Sequence, residues 1–121
     1  MSESQLVKEI EKIKFQLSHI GLALDGEKYP IPSLIVSMDW SEQDLEDVHK
    51  IFEKYDDLIE SNSNLSWGAF ESDLKKRFGV TYQGIKPIIK AFYKNGQWVD
   101  VCIAYAKEHQ CIEFDEITKA N

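Results

Sequence analysis

The chain has little that would stop a helix. It contains three prolines and six glycines in 121 residues, and its β-branched runs are short, so helix is favoured throughout. Cysteine is equally scarce. Cys102 and Cys111 are too few for a disulfide framework, and nine residues on one helix would put them on opposite sides, so reduced thiols in a cytoplasmic protein are expected. No apolar run approaches the length of a membrane span. The opening stretch MSESQLVKEIEK is charged and lacks the apolar core of a signal peptide. Positive charge is in deficit, with 14 Lys and Arg against 21 Asp and Glu and a net charge of −7. That balance disfavours nucleic acid and anionic membrane surfaces, and it favours a basic protein partner.

Catalytic signatures are missing too. There is no P-loop, dinucleotide fingerprint, HExxH or GxSxG. His19, His49 and His109 are scattered without the short Cys or carboxylate spacing of a metal site. The EF-hand pattern, with its central Gly and terminal Glu, does not occur. The expectation is therefore a protein that is not an enzyme and holds no cofactor or metal.

What is present is patterned for helices. Ser41–Glu60 carries eight carboxylates against Lys50 and Lys54, so this one stretch holds −6 of the chain's −7. Leu45, Val48, Phe52, Tyr55 and Ile59 recur at steps of three and four and form an apolar stripe. Glu42, Glu46, Glu53, Asp57 and Glu60 fall roughly opposite, with Asp56 beside them. His49 lies among these acids and reads as a solvated surface histidine. Ser41 and Asp44 are spaced as a capping box. The helix dipole favours the acids of the first turn but not Glu53, Asp56, Asp57 and Glu60 at the far end. Local stability leaves that half of the acidity unexplained.

A second stripe lies at the N-terminus. Leu6, Ile10, Ile13, Leu17, Ile20 and Leu24 keep a heptad register within a helix of about residues 3–24. Packing inside the domain is the expected use of this seam. A homodimer contact through Leu6, Ile10, Ile13 and Leu17 is the alternative. Tyr29-Pro30-Ile31-Pro32 then makes a rigid crossing, with Pro32 in the first turn of a short helix over Ser33–Met38. Further helices are predicted over Trp67–Phe78, stopped by Gly79, over Gly84–Asn95 with Pro87 in its first turn, and over Gln97–His109. Lys75-Lys76-Arg77 reads as compensation of a helix dipole. From Gln110 on, Ile112, Phe114 and Ile117 fit either a helix or an irregular tail. The fold expected is all-α: one domain, 1–121, bundling about five main helices plus the short one.

In this order the chain resembles the YhaI-like family of small all-helical cytosolic proteins of unknown function. The likeness rests on the heptad helix (Ile10 to Leu24), the crossing Tyr29-Pro30 followed by Leu34-Ile35, and the Ser-x-x-acid start at Ser41. It also rests on Ile89, Ala91, Phe92, Tyr93, Gly96 and Trp98, an aliphatic-x-Ala-aliphatic-Tyr-x-x-Gly-x-aromatic run. Ile31 and Pro87 depart from the pattern. The resemblance implies the fold and transfers no catalytic residue. Size and charge are also similar to those of immunity proteins of contact-dependent inhibition, an analogy of class that carries no motif. The expected function is an immunity or antitoxin protein that neutralises a basic toxin nuclease, a ribonuclease by preference. Its binding face would comprise Glu42, Glu46, His49, Glu53, Asp56, Asp57 and Glu60. Trp40 and Trp67 flank that helix as candidate anchors, with core burial the plainer role for Trp67. A homo-oligomeric regulatory or adaptor protein is the alternative.

Overall fold

Serine side chains set where three of the helices begin. In a computed structural model that describes residues 2–121, Ser2, Ser41 and Ser66 each accept a hydrogen bond from the backbone N–H three residues on, supplying an acceptor that the first turn otherwise lacks. The helices in chain order are α1 (Glu3–Ala23), α2 (Pro30–Met38), α3 (Glu42–Glu60), α4 (Trp67–Phe78), α5 (Tyr82–Lys94), α6 (Val99–Glu108) and, after a 3₁₀ turn at Ile112–Phe114, the single turn α7 (Asp115–Thr118). The fold is all-helical, and no strand occurs among the described residues. No helix among them is long and apolar enough to cross a membrane.

The core is largely aromatic. Phe52 of α3 meets Phe70 of α4 edge-on at 5.2 Å and Phe92 of α5 at 4.9 Å, while Tyr105 of α6 packs on Phe70 at 5.4 Å. Offset and edge-to-face pairs at such distances are the favoured aromatic geometry. Ile85, Ile88 and Ile89 of α5 and Val101 and Cys102 of α6 fill the space between them, all with no exposed surface. The C-terminal residues close this core: Phe114 and Ile117 are fully buried, so the stretch that sequence left undecided is ordered by its two apolar side chains. Both cysteines are free thiols, and burial pushes Cys102 up to about 12. The helical separation expected for them does not arise, because α6 ends before Cys111.

Several boundaries shift for identifiable reasons. α2 starts at Pro30 rather than Ser33, because Pro30 takes the first position, where its missing N–H costs nothing, with Pro32 following inside the first turn. α5 starts at Tyr82, which moves Pro87 from the first turn into the helix interior. There the ring is exposed, and the carbonyl of Gln83 four residues back loses its helical donor. α6 starts at Val99, one residue after Trp98, which is held at φ 51°. A bulky residue in the left-handed region is a genuine outlier. The turn before it contains Gly96 at φ 69° and is closed by the Gln97 N–H donating to the Phe92 carbonyl at 2.9 Å. Gly79 ends α4 at φ 67°, as the sequence predicts.

The N-terminal heptad stripe does not pack inside the fold. α1 buries no residue, and Leu6, Ile10, Ile13, Leu17 and Ile20 stay 44–59 % exposed. The helix packs on α2, where Gly21 lies so close to Val36 that an added Cβ would sit 2.7 Å from its methyl. Only that last turn is tied down. The expectation of an internal seam is overturned because the core is already closed by α2 to α7.

Candidate functional site

The acidic face lies on α3, and its geometry follows from which side the apolar residues take. Val48, Phe52 and Tyr55 point into the core. At about 100° per residue, Glu42, Glu46, Glu53, Asp57 and Glu60 then lie about 100–160° from the centre of the apolar stripe of Leu45, Val48, Phe52, Tyr55 and Ile59. All five are exposed, over a rise of about 27 Å. Among the described residues none of the five has a cationic group within ion-pair distance, whereas the acids on the α4 flank are paired. Arg77 donates from Nη2 to Asp44 at 2.6 Å and from Nε to Asp47 at 2.8 Å. Asp73 of α4 accepts from the Tyr55 hydroxyl at 2.7 Å and from Lys54 at 3.2 Å. The α3 acids thus divide by neighbour into a paired flank and a free stripe.

Those pairings show in the acid–base behaviour. The backbone N–H of Ser41 and then Arg77 hold Asp44 below the usual carboxylate range, and Arg77 and Gln43 do the same for Asp47. The Tyr55 hydroxyl, with Lys54, lowers Asp73. Asp56 moves the other way: partial burial raises it, and Asp100 and Asp57 add like-charge repulsion. Arg77, read from sequence as dipole compensation, is a clamp between α4 and α3. No sequence signal announces it, because its partners lie 30 and 33 residues away.

His49 and Trp40 occupy positions that the sequence did not foresee. His49 is half-buried, not solvated: its Nδ1 accepts the Trp98 indole N–H at 3.0 Å, and its ring lies 5.3 Å from that of Phe92. Its angular position on the α3 helix is only about 80° from the apolar stripe, on the side where α6 packs. Asp56 lies on that same edge. Trp40 is half-buried against Phe78 at 5.1 Å. Trp67 packs edge-on against Phe70 and Tyr105, both at 5.5 Å, and serves the core. Of the predicted binding face, the structure brings Glu42, Glu46, Glu53, Asp57 and Glu60 onto one open surface. It sets His49, Asp56 and Trp40 at its margin or away from it.

Two further polar groupings stand out, of which only the second was missed in the sequence. Asp56, Asp57 and Glu60 place one carboxylate oxygen each within 4.8 Å of one another, a spacing compatible with a divalent ion. Helix geometry alone puts them together, since Glu60 is i+4 from Asp56 and i+3 from Asp57. A cleft of about 440 Å³ between α2 and α5 is lined by Ser33, Ser37, Lys86, Lys90 and Lys94. Lys86 faces Glu113 at 3.6 Å, and Lys94 pairs with Glu27 and Glu116, so these contacts tie α5 to the α1–α2 loop and the C-terminal turns. The spacing of these lysines at every fourth residue was the available signal.

No family model matches the chain, and no curated protein or solved structure matches it.

Proposed function

We propose that the chain is a non-catalytic, cytoplasmic protein-binding inhibitor that lays the free carboxylate stripe of α3 on a basic partner. The partner class that best suits this face is a toxin nuclease, a ribonuclease by preference, which makes the chain an immunity or antitoxin protein. The observation that carries the reading is the split on α3: Asp44 and Asp47 have a cationic partner, and among the described residues Glu42, Glu46, Glu53, Asp57 and Glu60 have none. A nuclease cleft is positive because it must hold phosphates, and carboxylates about one helical turn apart can occupy that field. Complementary charge speeds encounter, while affinity needs apolar or aromatic anchors, for which the partly exposed Trp40 is the candidate.

The test pairs capture with inhibition. A tagged chain in a bacterial lysate should retain a basic nuclease at low salt and release it at high salt, because screening acts on exposed charge pairs. The isolated nuclease should lose activity when the chain is added. Glu53→Lys with Asp57→Lys should abolish both effects while far-UV circular dichroism stays unchanged. Undiminished inhibition by that variant would remove α3 from the mechanism.

A second reading is favoured by a specific observation, the exposed heptad stripe of α1. On this reading the chain is a homo-oligomeric regulatory or adaptor protein of the YhaI-like type, associating through Leu6, Ile10, Ile13 and Leu17. Its mark is a mass in light scattering that rises with concentration and falls to the monomer when Ile13→Asp is introduced.

A further inference from the structure

The α1 seam has a length, a register and a charge pattern that together specify what covers it. In heptad terms Leu6, Ile13 and Ile20 occupy the d positions, and Ile10 and Leu17 occupy a. The helix has 21 residues and extends about 31 Å. Its start is fixed by a reciprocal cap in which Ser2 and Gln5 each accept the other's backbone N–H at 3.1 and 2.9 Å. Five half-exposed Leu and Ile side chains in one row present on the order of 500 Å² of apolar surface, near the upper limit for a patch on a soluble monomer. Two such rows face to face reach the ~1,000 Å² of total buried surface that a specific interface needs.

Charge on the helix argues for a copy of itself. Lys8, Lys12 and Lys14 balance Glu3, Glu9 and Glu11, so α1 has no net charge to draw a strongly basic, strongly acidic or anionic-lipid partner. The flanking positions select an orientation. Glu9 is at g and Lys14 at e, five residues on, which is the spacing at which g and e′ meet between parallel strands. An antiparallel pair with the full seam overlapped places Lys14 beside the Lys14 of the other copy, a like-charge contact. The a and d residues select the number of strands. Isoleucine at two of the three d positions, with Leu17 at a, shifts preference from two strands to three or four. Gly21, where α2 leans on α1, marks where the free seam ends.

We propose that α1 forms a parallel coiled coil of three or four strands with copies of this chain, through Leu6, Ile10, Ile13, Leu17 and Ile20, with Glu9 pairing to Lys14 of the adjacent copy. The proposal rests on the self-association reading above and adds orientation and copy number to it. It also places α3 outside the assembly interface, since that helix packs in the body and not on α1.

The experiment uses the full chain. Light scattering across a concentration series should give three or four times the 14.0 kDa protomer mass. Leu6→Cys in a Cys111→Ser background should cross-link efficiently under mild oxidation, because parallel strands bring the d-position thiols into one layer, and the native Cys102 is buried. Glu9→Lys should weaken association several-fold, and adding Lys14→Glu should restore it. Ile13→Asp with Leu17→Asp should give a monomer whose circular dichroism keeps the helical signal of the body, since α1 contributes no buried side chain. A monomer at every concentration would overturn both this proposal and the self-association reading. A dimer, or a larger species in which the Leu6→Cys thiols do not cross-link, would overturn the proposal alone.

Discussion

α1 and α3 are nearly the same object in sequence and opposite objects in the fold. They have 21 and 19 residues, begin with the same serine capping box, and carry apolar residues at steps of three and four. α3 buries Val48, Phe52 and Tyr55, whereas α1 buries nothing. The difference teaches that periodicity establishes a stripe without saying what covers it. The side chains hint at the outcome. α3 offers Phe52 and Tyr55, whose rings reach Phe70 and Phe92 across neighbouring helices. The α1 seam is built from Leu and Ile alone, the residues of a coiled-coil interface.

The comparison breaks most visibly at the centre of each stripe. Phe52→Ala should cost about 3–5 kcal/mol in denaturant unfolding, because it opens a cavity among packed rings. Ile13→Ala, measured dilute enough for the chain to be monomeric, should cost less than ~1 kcal/mol. Equal losses would mean that the α1 seam is covered within its own chain. The caps sharpen the contrast at smaller scale. Ser41→Ala should lower global stability by about 1 kcal/mol, since α3 unfolds only with the core. Ser2→Ala, which removes the same kind of cap, should leave global unfolding unchanged and speed amide exchange only in the first turn of α1.

The smallest effects lie on the two flanks of α3 and have opposite signs with pH. Asp44 and Asp47 have folded-state values below 3.8. Their contribution is therefore present above about pH 3.8 and is lost as pH falls through the lowered values. Arg77→Ala should destabilise slightly at neutral pH, with the difference from the parent vanishing in acid melts below that range. Asp56 is raised, so its charged form opposes folding at neutral pH. Asp56→Asn should stabilise slightly at pH 7, with the gain disappearing as pH drops past 3.8. A gain from Asp56→Asn that persisted in acid would mean that the burial of Asp56 has been misread.

How much of this was legible depends on how far each partner sits along the chain. The Ser41 cap, the left-handed Gly79 and the burial of Val48, Phe52 and Tyr55 depend on residues within a turn or two, and sequence reached all of them. So did the open placement of Glu42, Glu46, Glu53, Asp57 and Glu60. His49 was misjudged because it sits at the edge of the acidic arc, where a shift of one neighbouring helix decides between water and protein. That neighbour is α6, whose preceding residue Trp98 reaches back 49 residues to bond it. Pro30 was read as part of the crossing before its helix and Pro87 as part of a first turn, since a proline is compatible with more than one register of a helix start.

Sequence by itself determined that the chain is helical, where most helices begin and end, and which face of α3 is acidic. Those features depend on cap chemistry, the scarcity of proline and glycine, and a 3.6-residue period, all of them local. Only the tertiary structure decided that Arg77 ties α4 to Asp44 and Asp47, that His49 receives Trp98, and that the last turns close the core with Phe114 and Ile117. It alone decided that α1 stands outside the core. The physical reason is one of volume: a core closed by α2, by the rings of α3 to α6 and by the C-terminal turns leaves no space for another long helix. The most regular apolar stripe in the chain is left facing outward.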